Sequence, residues 1–168
     1  MPDICIEPYD ERYHKEVQVL FDELQGHLVE IDDLKVQRLS SSYKQHYLEY
    51  VIKTVTEYDG IIMFAKNLDE NKIIGVVAGI IESKDEEDRL CNRCPKRGIV
   101  TELIVAKNQR NAGCGKLLLN SIEEYFKEKQ CEFSVVNVFA PNAGAIGFYQ
   151  GQSYSNRNIE MCKPLIGK

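Results

Sequence analysis

No apolar run in this 168-residue chain reaches the roughly 18–20 residues that span a bilayer. The opening segment "MPDICIEPYDERY" has neither the basic start nor the apolar stretch of a secretory signal. Positive charge is scarce as well. Twenty-one Lys and Arg against 26 Asp and Glu leave a net charge of −5, which disfavours a broad nucleic-acid or anionic-membrane surface. These absences predict a cytosolic (cytoplasmic) protein with no nucleic acid and no membrane as partner. In that compartment the six cysteines, at positions 5, 91, 94, 114, 131 and 162, are expected to be reduced thiols. "CNRC", Cys91 to Cys94, has the spacing of half a zinc site, but no second pair completes it, and His14, His27 and His46 lie far away in sequence. No metal is therefore expected. Cys131 and Cys162 fall in strand-like stretches and are expected to be small core residues. No repeat, low-complexity tract or linker divides the chain, so residues 1–168 read as one domain, long enough to bury a core.

What is present is a globular composition, 43% hydrophobic and 28% charged. "ICIEPY" reads as a strand. "DERYHKEVQVLFDELQGHL" places Val17, Leu20, Phe21 and Leu24 at helical spacing. "VEIDDLKVQRLSSS" reads as a polar connection. A second helix follows in "SYKQHYLEYVIKTVTEYDG", with Tyr43, Tyr47, Tyr50, Val51 and Val55 on one face, Ser42 as N-cap and Gly60 as stop. "IIMFAKNLDENKIIGVVAGIIE" predicts two strands joined by an Asp/Asn turn, dense enough in β-branched residues to be buried on both faces. "SKDEEDRLCNRCPKR" is a charged loop. "GIVTELIVA" is a further buried strand. "KLLLNSIEEYFKEKQ" is a helix with Leu118, Ile122, Tyr125 and Phe126 inward, and "CEFSVVNVFA" is a strand. "PNAGAIGFYQGQ" is a short helix ending near Gly151, and "SYSNRNIEMCKPL" is expected to close the chain with one or two strands. The ββαβα order of the second half predicts an α/β sandwich around a mixed sheet.

The stretch "KNQRNAGCGKLLL", Lys107 to Leu119, joins a buried strand to an amphipathic helix with two glycines, three cations and no acid among its loop residues. It is not a Walker loop, because Arg110 stands where the first glycine belongs and Leu117 where Ser or Thr belongs. Nor is it a dinucleotide fingerprint, because Leu118 replaces the third glycine. What remains is still suited to an anion. The first amides of a helix lack internal partners, the helix dipole adds partial positive charge, and glycines let the backbone approach a ligand. Lys107, Arg110 and Lys116 add formal charge, so a phosphate or pyrophosphate fits. A glycine-rich turn with solvated cations fits the same residues.

Arg110-Asn111-Ala112-Gly113-Cys114-Gly115 also resembles the Q/R-x-x-G-x-G/A motif of the GNAT family of N-acetyltransferases. "IVTELIV" is similar to the strand that precedes that motif. "VFAPNAGAIGFYQGQSY" is similar to the family's second motif, with Asn142, Ala145, Phe148 and Tyr149 in matching places, and "IEMCK" is similar to a closing strand. The resemblance covers roughly residues 98–163. It implies a single-domain α/β sandwich with a mixed, mostly antiparallel central sheet flanked by helices. It also implies acetyl-CoA as co-substrate, with the pyrophosphate on the amides of Arg110, Asn111, Ala112, Gly113, Cys114, Gly115 and Lys116. By the same resemblance Leu103, Ile104 and Val105 would pair with the pantetheine arm, and Asn142 would touch the cofactor or cap its helix. Cys114 occupies a variable place in the motif, and a thiol there can be modestly acidic without a role.

The resemblance makes Tyr149 the general acid for the departing thiol. A phenol near ~10 can protonate, or hydrogen-bond to, a thiolate whose conjugate acid lies near ~8.5. A core aromatic beside Phe148 is the plainer reading of the same residue. An amine acceptor, mostly protonated at neutral pH, must also lose a proton. Glu102 is the only acid on its strand, set opposite Leu103 and Val105 by period-two alternation, and is the candidate base. Ordered water, with Glu102 merely facing solvent, would serve as well. The connection "HLVEIDDLK" offers Glu30, Asp32 and Asp33 as an acidic rim for a cationic small-molecule or peptide amine acceptor. A homodimer is compatible with the family layout. The rival to an N-acetyltransferase is a non-catalytic acetyl-CoA-binding sensing or regulatory module. A thiol or zinc protein centred on Cys91 and Cys94 is the third reading.

Overall fold

The computed structural model describes residues 3–82 and 93–165. In chain order the elements are β1 (Ile4–Pro8), α1 (His14–Ile31), α2 (Ser41–Glu57), β2 (Ile61–Asn67), β3 (Lys72–Ile81), β4 (Arg97–Val105), α3 (Cys114–Glu128), β5 (Phe133–Val136) and α4 (Ala143–Gly151). The strands form one sheet in the order β1-β2-β3-β4-β5. The first three pairings are antiparallel and β4 with β5 is parallel. This is the mixed, mostly antiparallel α/β sandwich that the motif resemblance implies.

Alternation along β3 explains the two layers. Val76 and Ala78 face α1 and α2, where they meet Val17, Phe21, Leu48 and Val51. Val77 and Ile81 face α3, against Leu118, Ile122 and Phe126. A strand with apolar residues on both faces belongs in the middle of a covered sheet, and β3 lies there. Three glycines let α3 sit close. A Cβ on Gly75 would stand 2.8 Å from Leu118, one on Gly79 2.6 Å from Ile122, and one on Gly98 2.2 Å from the Phe126 ring. Gly98→Ala therefore overpacks the layer. It should cost about 1–3 kcal/mol in denaturant unfolding, and Phe126→Leu in the same chain should recover part of it.

Several local expectations are corrected. The N-cap of α2 is Ser40, not Ser42, and its hydroxyl accepts from the Tyr43 amide at 3.1 Å. The first helix runs on to Ile31, three residues into the stretch read as a polar connection. Its end is held by Asp32, which is 1% exposed and accepts the amides of Leu34, Val36 and Gln37 at 3.0, 2.6 and 2.7 Å. Those bonds, chiefly the one from Gln37, lower its pKa against the opposing effect of burial. Asp32 thus ties off a helix end and is not part of an acidic rim. β5 is four residues long, so "NVFA" lies beyond the sheet. No strand forms in residues 154–165, where Ile159 and Met161 are 82% and 90% exposed. An alternating pattern makes a strand only when an edge is there to pair with it, and this segment has no ladder. Cys162 is accordingly exposed, and Cys131 is half-buried in the turn after α3. Cys91 and most of the charged loop lie outside the described residues.

Candidate active site

The turn between β4 and α3 is built on left-handed backbone. Asn111 has φ 65° and Gly113, the N-cap of α3, has φ 86°. A Cβ at Gly113 would meet no heavy atom within 4 Å, so open space lies in front of the turn. The same glycine leaves the first amides of α3 without a side-chain cap. Lys116 is exposed on that first turn. Arg110 is already engaged: its Nε donates to the Val105 carbonyl at 3.0 Å and its Nη2 meets Glu23 Oε1 at 3.1 Å. Glu23 Oε1 also accepts the Lys107 amide at 3.0 Å. The arginine therefore fastens the loop to β4 and α1, and nothing in the sequence had marked Glu23. Cys114 points into the core, 1% exposed, beneath β3. Burial raises its thiol to about 11, opposite to the acidification expected at a helix start, which disfavours the thiolate form.

β4 extends beyond its neighbour. Its last pair with β5 is Val100 with Val136, which leaves residues 101–105 with no strand on that edge. A bulge falls at the same place, because Ala78 pairs with Glu102 while Gly79 pairs with Val100. The extra residue, Thr101, re-aims the strand. Leu103 and Val105 then lie on the α3 side, and Ile104 on the α1/α2 side. Glu102 shares the side of Ile104, where Tyr47 of α2 donates to its Oε1 at 2.6 Å. Burial pushes the Glu102 carboxyl up to about 7, and the Tyr47 hydrogen bond pulls the other way. Tyr47 is itself fixed, stacked on Tyr43 with ring centroids 4.3 Å apart and edge-on to Phe21. A cleft of about 170 Å³ opens beside this pair, between α2 and β4. The sequence places the tyrosines at 43, 47 and 50 on one helical face with Val51 and Val55. The signal that was passed over is that a phenol on an inward helical face needs a polar partner.

α4 brings the second motif to the same end of β4. Asn142 caps it, accepting the Ala145 amide at 3.1 Å. Phe148 packs toward Gly115, and Tyr149 stands between Phe148 and Tyr154. Tyr149 is 7% exposed, its carbonyl accepts the amides of Gln152 and Tyr154, and its hydroxyl makes no hydrogen bond among the described residues. Burial first, and the charge of Glu102 second, push its phenol up to about 12. Glu102 lies on the α1/α2 side of the sheet, with Tyr47, and Tyr149 belongs to the core on the α3 side. Glu30, in the last turn of α1, and Asp33, in the connection after it, are exposed and neither lines the cleft.

A profile of the Acetyltransferase (GNAT) family matches residues 28–154. That spans well over half of the chain, which belongs to the GNAT acetyltransferase family. A mutant of the BH1408 protein from Bacillus halodurans superposes with a TM-score of 0.83 at 17% identity, covering 96% of this chain and 99% of that one. A glucosamine-6-phosphate N-acetyltransferase from Arabidopsis thaliana gives 0.66 at 19% identity, over 98% and 99%. An aminoglycoside antibiotic 6'-N-acetyltransferase from Acinetobacter haemolyticus gives 0.69 at 13% identity, over 96% and 99%. At these identities the likeness is one of fold. No curated protein matches the sequence significantly. Among the described residues no group of three or more His, Cys, Asp or Glu could hold a metal, and no helix is long and apolar enough to cross a membrane.

Proposed function

We propose that the chain is an acetyl-CoA-dependent N-acetyltransferase that acts by direct attack of a primary amine, in a single domain. The family uses acetyl-CoA as co-substrate, and both named N-acetyltransferases among the structural neighbours support this reaction class. The observation that carries the reading is the buried Glu102 carboxyl, held by Tyr47, on the stretch of β4 that β5 leaves unpaired, beside the motif that carries the buried Tyr149. The residues present fit the co-substrate. Open space fronts the Gly113 turn, uncapped helix amides suit a pyrophosphate, and the edge of residues 101–104 that β5 leaves unpaired suits an amide-bearing arm, the Val105 carbonyl being held by Arg110. When bound, acetyl-CoA supplies the activated acyl group.

The protein's own groups would divide the remaining work. The amides from Arg110 to Lys116 hold the anion, and Leu103, Ile104 and Val105 present backbone to the arm. Asn142 keeps α4 in place through its cap. Glu102 takes the proton that the acceptor must lose, and a carboxyl near 7 is matched to that task at neutral pH. Tyr149 serves the leaving sulfur as general acid. Its elevation to about 12 makes full proton transfer to a thiolate uphill by roughly 5 kcal/mol, so hydrogen-bond donation is its main contribution. A sensing module would need neither group at the β4 edge.

The test is thiol release from acetyl-CoA with primary amines, alongside calorimetric binding of acetyl-CoA. Binding without release from any amine would favour the sensing module. Gly113→Val checks the turn separately. A branched side chain at φ 86° is strained and projects into the open space, so acetyl-CoA affinity should fall at least about tenfold by calorimetry. Unchanged affinity would remove the turn from the binding site.

A further inference from the structure

We propose that the cleft between α2 and β4 accepts a compact primary monoamine, its one ammonium group on Glu102, as the substrate of the acetyl transfer proposed above, on which this inference rests. The first reason is the count of charges. Among the described residues Glu102 is the one carboxylate that lines the cleft, and Tyr47 donates to its Oε1. The carboxylate keeps acceptor sites for an ammonium beside the Tyr47 hydroxyl. A polyamine or an aminoglycoside carries several ammonium groups and needs several acids to match them. Asp32, the acid nearest to serving that purpose in the sequence, is consumed by the backbone of Leu34, Val36 and Gln37.

The second reason is the wall. Val51 and Val55 are buried apolar side chains, and the rings of Tyr47 and Tyr50 stand beside them. Such a surface suits the hydrocarbon or aromatic body of a small amine, and a tyrosine face also attracts an ammonium. Thr54 and Thr101 put the polar groups at the rim. A cleft of about 170 Å³ suits a compact amine. The proton count closes. A bound ammonium gives one proton to Glu102, and its nitrogen forms the bond to the acetyl carbon as the carbon–sulfur bond breaks. A second nitrogen-bound proton goes to the sulfur, and Glu102 returns its proton to solvent, leaving the amide, the free thiol and one proton.

The experiment measures kcat/KM by thiol release, using the full chain and saturating acetyl-CoA, for propylamine, hexylamine, benzylamine and phenethylamine. Spermidine, kanamycin and a lysine-containing peptide are the contrast set. The best monoamine should exceed all three by about tenfold or more. Thr54→Phe narrows the cleft from its half-exposed rim and should raise KM for that monoamine by about tenfold, leaving acetyl-CoA affinity unchanged by calorimetry. Preference for spermidine, kanamycin or the peptide would overturn the monoamine assignment while leaving the acetyltransferase intact. A Thr54→Phe chain with unchanged KM and normal acetyl-CoA binding would overturn the cleft as the acceptor site. Acetyl-CoA binding with no release from any of the seven amines would overturn both readings.

Discussion

Tyr149→Phe should lower kcat by about 10²-fold while the acetyl-CoA Kd stays within about twofold. The substitution removes one oxygen and leaves the ring between Phe148 and Tyr154. Because the hydroxyl has no partner among the described residues, its loss orphans nothing, and the melting temperature should hardly move. The split between kcat and Kd is the informative readout. A hydroxyl that acts on the leaving sulfur does so only as negative charge develops there, so its removal raises the barrier without weakening the ground-state complex. The elevation of the phenol to about 12 adds a second expectation: no descending limb from Tyr149 should appear in the rate below about pH 10, because the donor stays protonated throughout. Full activity in the phenylalanine variant would reduce Tyr149 to a packing residue.

Both layers of the fold were legible because their signals are local and strong. β3 is apolar on successive residues and α3 repeats Leu118, Ile122 and Phe126 on one side, and these patterns fix a covered central strand and an amphipathic helix. The turn at Gly113 and the motif around Tyr149 were legible by their resemblance to a family, since short motifs carry their own spacing. What stayed hidden was every interaction across long sequence distance. Glu23 meets Arg110 across 87 positions, and Tyr47 meets Glu102 across 55. Neither pair leaves a periodic trace. Asp32 misled for a related reason: a carboxylate in a polar stretch reads as surface until its three amide partners are seen. The closing segment misled through alternation, because Ile159 and Met161 have the spacing of a strand and lack any edge to pair with.

Glu102→Gln should lower kcat/KM by about 10²-fold or more and remove an ascending limb centred near pH 7. The sign follows from the chemistry of the site. Only the ionised carboxylate accepts a proton, so wild-type activity rises as pH climbs through the carboxyl's value and levels above it. Water acting as the base would leave the limb in place in the glutamine variant. Stability supplies an independent check with the opposite sign. The folded state holds the Glu102 proton up to about 7, whereas an unfolded chain releases it near 4.5. Between those values the native state binds more protons than the unfolded one, so raising the pH weakens the fold. Glutamine is neutral at every pH and still accepts the Tyr47 hydroxyl. Glu102→Gln should therefore match wild type in unfolding free energy near pH 4 and exceed it by about 3 kcal/mol at pH 8. A residue kept for folding alone would lose stability on this change. Gain of stability with loss of turnover is what a buried carboxylate retained for proton transfer predicts.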